Sequence, residues 1–335
     1  MDAELHTIAV GRDAMACRFE AVFNAGEVAD ATELGSAALD LVGVIEERIT
    51  IHRPGGALAA LNVVAADGWQ IVPDDIGPLL SLAEECWRRT DGAFDMATGA
   101  LSRCWGFLRR QGRIPAAEDL AAALARSGWH RVELDRAAAR VRFATAGVEL
   151  NPGAIGKGWA LDRAAALVRA EGVASFLLHG GSSSVLARGV QGPDLAGRRG
   201  WRVGLRHPMR TGERLATLTL VDRALGTSGS GTQFFIDRGR RLGHILDPRS
   251  GVPAEGVLSA TVLAPEAAVA DALAIAAYVL GPAGLDRIAP AGGPVSAVLV
   301  VPTRSSGGVR VMTANLAAED VVWSRAPGIE VVRST

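Results

Sequence analysis

The stretch LNPGAIGKGWALD, residues 150–162, combines three glycines with Lys157, the only lysine of the chain. The pattern predicts a strand that ends at Leu150, a glycine-rich turn, and a helix that begins near Gly158. Backbone N–H groups and a helix N-terminus at one spot favour a phosphate or pyrophosphate, to which Lys157 would add positive charge. The pattern is neither GxGxxG nor GxxxxGK[ST], and a tight turn that only requires glycine is an equally good interpretation.

A second glycine-rich stretch, LLHGGSSSVLARG, covers residues 177–189. Two glycines close an apolar strand, and three serines follow them. The serine hydroxyls and the backbone N–H groups can bind a ligand. Two strands that cross tightly in a packed sheet would require the same small residues, so both interpretations stay open.

A histidine, an aspartate and an arginine occur together in GHILDPRSGVP, residues 243–253, after the segment TSGSGTQFF, residues 227–235. His244 is followed closely by Asp247 and Arg249. An isolated histidine is more often structural than catalytic. The combination of these side chains with a glycine turn inside eight residues favours a functional site.

Asp271 is the only charged residue in a very apolar run, residues 267–280. Burying a carboxylate costs several kcal/mol unless the group is paired or binds a metal. Mg²⁺ prefers carboxylate ligands together with carbonyl and phosphate oxygens, which Asp271 would help to supply. A carboxylate that caps the first turn of a helix is the alternative interpretation.

The stretch TDGAFDMATGALSRCWGF, residues 90–107, begins with a turn that contains Asp91 and Asp95 and ends with aromatic residues. Trp105 and Phe107 are able to stack on a flat ring. Packing in the core is the more common role of such residues, and both interpretations are kept.

The elements that would position these residues follow from the hydrophobic periodicity. Helices are predicted over residues 30–50, 73–90, 117–126, 158–171 and 267–280. Strands are predicted over residues 18–23, 131–134, 140–143, 175–179, 201–205, 215–220, 226–227, 233–237, 259–263, 295–300 and 308–313, and a surface loop over residues 188–200. Strands and helices without steady βαβ alternation predict an α+β fold. No change in composition marks a linker, so residues 1–335 are predicted to form a single domain.

Composition and charge exclude several classes of protein. The formal net charge of −1 gives no electrostatic reason to expect nucleic acid or an anionic membrane surface as a partner. No stretch approaches the ~18 consecutive apolar residues of a membrane span. The cysteines, Cys17, Cys86 and Cys104, form no CxxC pair, and no apolar signal segment precedes Cys17. The sequence therefore predicts a cytoplasmic protein.

Taken in order along the chain, these segments resemble the FAD:protein FMN transferases, the ApbE-like family. The counterparts of the family motifs in this sequence are Met15–Cys17, Thr50–His52, Leu61–Asn62, Gly92–Phe107, Asn151–Asp162, Gly180–Ser184, Ser228–Gly229, His244–Gly251 and Ala270–Gly281. No single motif is decisive, but their common order over about residues 15–281 is specific.

The resemblance implies a two-lobed α+β fold with FAD bound between the lobes and Mg²⁺ bridging its pyrophosphate. By position, the carbonyl of Ala154 and the carboxylate of Asp271 would be metal ligands. Contacts to FAD would fall on Met15, His52, Ala93, Phe94, Asp95, Asn151, Lys157 and His244.

The resemblance also implies a reaction. A threonine or serine hydroxyl of a partner protein attacks a pyrophosphate phosphorus of FAD, AMP leaves, and FMN stays attached through a phosphoester. Lys157 and Mg²⁺ would stabilise charge on the phosphoryl oxygens, and His244 would accept the hydroxyl proton or orient the flavin. The chain has no acceptor motif such as DGxT, so the acceptor is predicted to be another protein.

Some positions depart from the family pattern. Ile275 replaces a threonine that would bind the metal, Asn151 replaces an aspartate, and His52 stands where tyrosine is usual. Isoleucine supplies no oxygen ligand, and asparagine removes a negative charge. Two alternatives follow: a carrier or sensor that binds FAD without turnover, and a pyrophosphatase that uses water to split FAD into FMN and AMP.

Overall fold

The structure is a computed structural model that describes residues 6–192, 199–210, 212–229, 231, 233–305 and 307–333. Residues 193–198 of the predicted surface loop, and Ser230 and Thr232 of the segment before His244, lie outside that range. Helices and strands alternate irregularly along the described chain, and the strands form separate sheets, which confirms the predicted α+β class.

The five helices predicted from the sequence are all present. The largest difference is at the start of α3, predicted at residue 73 and observed at residue 77. The described helices are α1 (Ala31–Ile49), α2 (Ala57–Val64), α3 (Gly77–Arg89), α4 (Gly99–Cys104), α5 (Ala117–Leu124), α6 (Gly156–Ala170), α7 (Ala267–Leu280) and α8 (Leu285–Ile288). None of these helices is long and apolar enough to cross a membrane.

The strands form one large sheet and three small ones. They are β1 (Thr7–Ala14), β2 (Cys17–Asn24), β3 (Gln70–Ile71), β4 (Val132–Asp135), β5 (Arg140–Phe143), β6 (Phe176–Gly180), β7 (Ser184–Arg188), β8 (Trp201–Arg206), β9 (Arg214–Leu220), β10 (Ala224–Gly229), β11 (Phe234–Asp237), β12 (Arg240–Gly243), β13 (Ser259–Ala264), β14 (Ser296–Pro302), β15 (Val309–Ala314), β16 (Val321–Trp323) and β17 (Ile329–Arg333). The large sheet has nine strands in the order β1-β2-β6-β7-β10-β13-β14-β15-β17, and the small sheets have the orders β16-β9-β8, β3-β5-β4 and β11-β12.

Helix α7 lies at the centre of the core. Most of its residues are buried, because it contacts α6, α3, β10 and β13 together. A helix that is buried on several sides needs apolar residues all around, which accounts for the run of alanines in the sequence. The main hydrophobic cluster joins α7 to α1, α6 and the strands of the large sheet.

Two glycines allow the backbone of α7 to approach its neighbours. A Cβ atom placed on Gly158 of α6 would lie 2.2 Å from the carbonyl oxygen of Ala267. A Cβ atom placed on Gly226 of β10 would lie 2.5 Å from the carbonyl carbon of Ala270. Both obstacles are backbone atoms, which cannot move aside cheaply, so glycine is needed at both positions for packing.

The sheet β16-β9-β8 packs against the large sheet through its own apolar residues. Trp201 and Leu218 share a buried cluster with Leu225 and Leu263 of β10 and β13. A neighbouring cluster, which contains Leu205, joins β8 and β9 to β14 and β15. One side of β8 is therefore fixed against the large sheet.

One local prediction is wrong. No strand ends at Leu150, because its N–H and its carbonyl both bond to the side chain of Asn62, at 2.8 and 2.9 Å. A single 3₁₀ turn, Pro152–Ala154, follows, and α6 then begins at Gly156. The side chain of Asn62 thus takes the place of a strand partner.

Candidate functional site

Two adjoining cavities of about 520 and 450 Å³ form a cleft. They share the lining residues Met15, Arg110, Gly153, Ala154, His244, Ile245 and Ile275. Of the residues predicted from the sequence, the cleft brings together Met15, His52, Asp95, Asn151, Ala154, Lys157, His244 and Asp271. Ala93 and Phe94 are fully buried in the main hydrophobic cluster and line neither cavity.

Asp271 is buried, and both oxygens of its carboxylate have hydrogen-bond donors. Oδ2 accepts from the backbone N–H of Gly158 at 2.8 Å, and the Ser184 hydroxyl donates to Oδ1 and Oδ2 at 2.8 and 2.9 Å. Burial raises the pKa of Asp271 to about 7, although the charge of Lys157 and these donors act in the opposite direction. A cation at this carboxylate would favour its ionised form.

Asp162 makes the reciprocal contact from α6 to α7. Its two oxygens accept from the backbone N–H groups of Ala267 and Ala268, at 2.8 and 2.9 Å. These N–H groups belong to the first turn of α7 and have no partner inside that helix. Each of the two helices therefore supplies a carboxylate to the other, and this exchange fixes the position of Asp271 relative to Gly158.

Lys157 lies in the first turn of α6 and donates to the hydroxyl of Ser183. Gly181, Ser182 and Ser183 form the short turn between β6 and β7 and line the cleft with Lys157. The N-terminus of α6 carries partial positive charge, so the ammonium group and the helix end favour an anion at the same place. The glycine–serine stretch is a β-hairpin whose turn faces the cleft.

His244 lies between the two cavities, with its ring edge toward Phe107 at 6.4 Å between centroids. Its Nδ1 lies 3.1 Å from the carbonyl oxygen of Gln233. A carbonyl only accepts, so Nδ1 carries the hydrogen and Nε2 has a free lone pair in the neutral ring. Burial lowers the pKa of His244, and the charge of Lys157 lowers it further, against the effect of the Gln233 bond. The neutral, proton-accepting form therefore predominates at neutral pH.

Asp95 and Asn151 shape the backbone beside the cleft. The oxygens of Asp95 accept from the N–H groups of Ala97 and Trp129, at 2.7 and 2.8 Å. Burial raises the pKa of Asp95 to about 6. Asn151 Oδ1 accepts from the Gly153 N–H at 3.0 Å and so closes the turn before α6. Both side chains hold protein backbone in addition to lining the cavity.

Met15 and Ala16 form the two-residue turn between β1 and β2, with φ angles of 48° and 59°. Positive φ at both positions is typical of a type I′ hairpin turn, but it is costly for residues other than glycine, asparagine and aspartate. The Met15 N–H donates to Glu46 of α1 at 2.9 Å, and this bond holds the turn at the cleft. His52 is exposed and lines the smaller cavity together with Met15.

The donors available for a divalent cation are the Asp271 carboxylate and the Ala154 carbonyl, which line the same cavity. The Ala154 carbonyl accepts no hydrogen bond from elsewhere in the described chain. Ile275, one turn after Asp271 on α7, lines the cavity without offering an oxygen. No group of three or more His, Cys, Asp or Glu side chains within the described residues is arranged to hold a metal. The donor set fits a Mg²⁺ ion that takes its remaining ligands from phosphates and water.

Several residues of the cleft were not singled out from the sequence. Arg110, whose φ is 55°, lines both cavities, and Arg206 and Cys17 line the larger one. Ser184 was noted only as one member of a serine run. Its role as the donor to Asp271 depends on a contact across 87 residues, which no local pattern reveals.

Comparison with known proteins places the chain in a family. A model described as the ApbE family matches residues 15–299. The FAD:protein FMN transferase of Treponema pallidum is 33% identical over 265 residues, which cover 75% of this chain and 73% of that protein. The FAD:protein FMN transferase of Escherichia coli is 32% identical over 245 residues, covering 71% and 68%.

Solved structures agree with the sequence relatives. The ApbE protein of Thermotoga maritima has a TM-score of 0.79 and 25% identity, over 91% of this chain and 96% of that one. The apo form of the Pseudomonas stutzeri flavinyl transferase ApbE has a TM-score of 0.79 and 27% identity, over 92% and 95%. The fold is therefore that of the flavin transferases. The chain belongs to the ApbE family, and the family predicted from the sequence is confirmed.

Proposed function

We propose that this protein is a transferase that moves FMN from FAD onto a threonine or serine hydroxyl of a partner protein, in a Mg²⁺-dependent reaction that releases AMP. The observation that carries the proposal is the convergence of Lys157, Asp271 and His244 on one cleft in a member of this family. An anion-binding group, a buried carboxylate and a neutral histidine are the groups that phosphoryl transfer needs.

The phosphate end of the site would lie at the first turn of α6. Lys157 and the N-terminus of α6 supply positive charge there, and the turn Gly181–Ser183 adds hydroxyl and N–H donors. The flavin and adenine ends of FAD would extend from there along the cleft, one of them toward Asn151 and His52. Met15, Ala93, Phe94 and Asp95 remain proposed contacts.

The proposed reaction needs a group that accepts the hydroxyl proton, and we assign this role to His244. The acceptor hydroxyl oxygen forms a bond to the FMN-side phosphorus, and the bond from that phosphorus to the bridging oxygen breaks, so AMP leaves with the bridging oxygen. The hydroxyl proton goes to Nε2 of His244, whose Nδ1 is fixed on the Gln233 carbonyl. Lys157 stabilises the charge that develops on the phosphoryl oxygens.

Mg²⁺ would be held by Asp271, the Ala154 carbonyl and the pyrophosphate, where it would neutralise phosphoryl charge. Isothermal titration of the protein with Mg²⁺, with and without FAD, tests this donor set independently of turnover. Asp271→Asn is expected to abolish FAD-dependent binding of Mg²⁺. A variant with unchanged Mg²⁺ affinity would contradict the assignment.

The test of transfer uses purified protein, FAD, Mg²⁺ and total protein from the native cells. Covalent flavin is read by fluorescence on a denaturing gel, its attachment site by mass spectrometry, and AMP by chromatography. A flavinylated threonine or serine with an equal amount of AMP supports the proposal. Release of FMN and AMP without covalent flavin indicates a pyrophosphatase and contradicts transfer.

A flavin carrier without turnover is the second candidate, and Ile275 is the observation that favours it. Residues 271 and 275 lie one helical turn apart on α7, so a threonine at 275 would place a hydroxyl beside the carboxylate. If the protein is a carrier, FAD binds without AMP release, and Ile275→Thr creates Mg²⁺-dependent release.

The free thiols of Cys17, Cys86 and Cys104 support the proposed cytoplasmic localisation.

A further inference from the structure

Among the described residues, β8 is an edge strand, and part of its edge faces the cleft. It lies at the end of the sheet β16-β9-β8, and its ladder partner is β9. The consecutive residues Val203–Arg206 line the same 520 Å³ cavity as Lys157 and Asp271. A strand edge therefore lies next to the groups assigned to phosphoryl transfer.

The backbone groups that point away from β9 can be identified from hydrogen bonds. The Arg202 N–H donates to Gln191 Oε1 at 3.4 Å, outside the β8–β9 ladder. Residues two apart in an antiparallel strand point the same way, so the N–H and the carbonyl of Gly204 also point outward. On β9, the Leu215 carbonyl accepts from Ser324 beyond β16, which fits the same alternation.

Gly204 is the point where another backbone can approach. It is exposed, and the three atoms nearest to a Cβ atom placed on it would all belong to the guanidinium of Arg214, the far end of a flexible side chain, at 2.8–3.4 Å. Internal packing therefore does not require glycine here. A glycine inside a strand often marks the close approach of a ligand or a second backbone.

The charge around this edge favours an acidic partner. Arg206 and Arg110 line the cavity, are exposed, and form no ion pair among the described residues. The only acid in the described lining of this cavity is the buried Asp271. Lys157 is engaged by the pyrophosphate in the proposed reaction, so the two arginines remain available for carboxylates.

We infer that the acceptor protein presents its hydroxyl on an extended acidic segment that pairs with the free edge of β8 at Gly204. The inference rests on the proposed transfer function. Pairing of this kind takes its affinity from backbone hydrogen bonds and its register from alternate side chains. It would hold the acceptor hydroxyl in the cleft while Arg206 and Arg110 contact its acidic side chains.

The test uses a fluorescent nine-residue peptide with alternating valine and threonine and with aspartate and glutamate at both ends. Its affinity is measured by anisotropy with the full chain and FAD present. Two derivatives carry N-methyl groups on either the odd or the even residues, which block one edge of the peptide at a time. We expect only one of the two derivatives to lose binding, by about tenfold or more, because one peptide edge faces β8.

Two variants at one position separate the backbone bond from side-chain effects. Gly204→Pro removes the outward N–H without touching the β8–β9 ladder, and we expect about tenfold weaker peptide binding. Gly204→Ala keeps the N–H and adds only a methyl group at the point of approach, so it should weaken peptide binding by about threefold or less, well below the effect of Gly204→Pro. Arg206→Glu should lower the affinity for the acidic peptide and raise the affinity for a peptide with lysine at both ends.

The remaining outcomes overturn the inference. They include no binding of the peptide by the wild type, peptide affinity of Gly204→Pro equal to that of the wild type, and an equal loss of affinity for both methylated peptides. A loss of FAD affinity in Gly204→Pro would assign the edge of β8 to the nucleotide. A change of oligomeric state in Gly204→Pro, measured by sedimentation, would assign it to a second copy of the chain. AMP release from FAD is measured in parallel, so failure of the catalytic proposal is recognised separately from failure of peptide pairing.

Discussion

The two sides of the cleft differ in how completely their polar groups are satisfied. On the side formed by α6 and α7, Asp162 and Asp271 are engaged by backbone N–H groups of the opposite helix, and Ser184 completes the set. On the other side, Arg110 and Arg206 are exposed, and the outward backbone groups of Gly204 in β8 have no hydrogen-bond partner among the described residues. The first side is prepared before any ligand arrives, whereas the second leaves charged and backbone groups to solvent among the described residues.

This difference separates two tasks. The side that would bind the phosphates must hold charges at fixed positions, because preorganised charges stabilise a transition state without reorganisation. The side that would bind an acceptor must admit and release a protein segment at each turnover. Variants of the first side should therefore affect stability and chemistry together, and variants of the second should affect acceptor binding alone.

The largest expected effect is on the chemical step. His244→Gln removes the proposed proton acceptor, so we expect kcat for transfer to fall about 10²–10⁴-fold, by much more than the affinity for FAD falls. Steady-state transfer and FAD binding by fluorescence measure the two quantities. His130→Gln is the matched control, because His130 lines a separate cavity. Equal kcat in His244→Gln and the wild type would remove His244 from the reaction.

The next effect is on the packing of α6 against α7. Gly158→Val places a side chain against the Ala267 carbonyl and should cost about 3 kcal/mol or more of the free energy of unfolding. Gly43→Ala is the control, since Gly43 lies in α1 with its nearest obstacle 3.7 Å away, and it should be neutral or stabilising. Urea unfolding compares the two. A mild effect of Gly158→Val would mean that the two helices do not need their close approach.

A smaller effect is expected from removing one of the exchanged carboxylates. Asp162→Ala leaves the first N–H groups of α7 without their acceptor, and we expect a loss of about 1–2 kcal/mol in the free energy of unfolding. Asp40→Ala, which removes an exposed partner of Arg12, should change stability by less than about 0.5 kcal/mol. If both variants behave alike under thermal unfolding, the exchange between α6 and α7 has no special role.

A further expected effect is a pH dependence of stability. The pKa of Asp271 is raised to about 7, so between its ordinary value and pH 7 the folded state binds more protons than the unfolded state. Stability of the ligand-free protein should therefore fall as pH rises through this range. The pKa values of Asp95 and Asp162 are raised to about 6, so they contribute only to the lower part.

Asp271→Asn should flatten the decline between pH 6 and 7 and should reduce, without abolishing, the decline below pH 6, to which Asp95 and Asp162 also contribute. Urea midpoints measured across this interval test the assignment. A decline between pH 6 and 7 that persists unchanged in the variant would show that another group titrates there. Addition of Mg²⁺ and FAD to the wild type should reduce the decline, because a cation stabilises the ionised carboxylate.

Sequence patterns predicted the parts of the molecule that depend on local periodicity. The bounds of α7 were predicted residue for residue, because an unbroken apolar run ends at Gly281. Asp271 was recognised because a charge inside such a run must be compensated. Strand β7 was not predicted, because the glycine–serine stretch at its start left a ligand-binding segment and a tight crossing of strands both open. The strand predicted at Leu150 was wrong because Asn62 bonds that backbone instead.

The contacts that organise the site could not be predicted. The bond from Gly158 to Asp271 spans 113 residues, and the bond from Ala267 to Asp162 spans 105. No local pattern indicates which distant N–H group a carboxylate will meet, since that depends on the assembled core. The same holds for Phe94, whose complete burial follows from packing and not from its neighbours in sequence.

Lys157 is the only lysine in the chain, and it lies in the cleft beside Ser183. An amine-specific reagent can therefore modify only this side chain and the chain's amino terminus. Reductive methylation with ¹³C-formaldehyde would place an NMR probe at the proposed phosphate site without any mutation. The bias toward arginine elsewhere thus leaves Lys157 as the only labelled side chain, and its resonance, beside that of the amino terminus, can follow nucleotide binding and release.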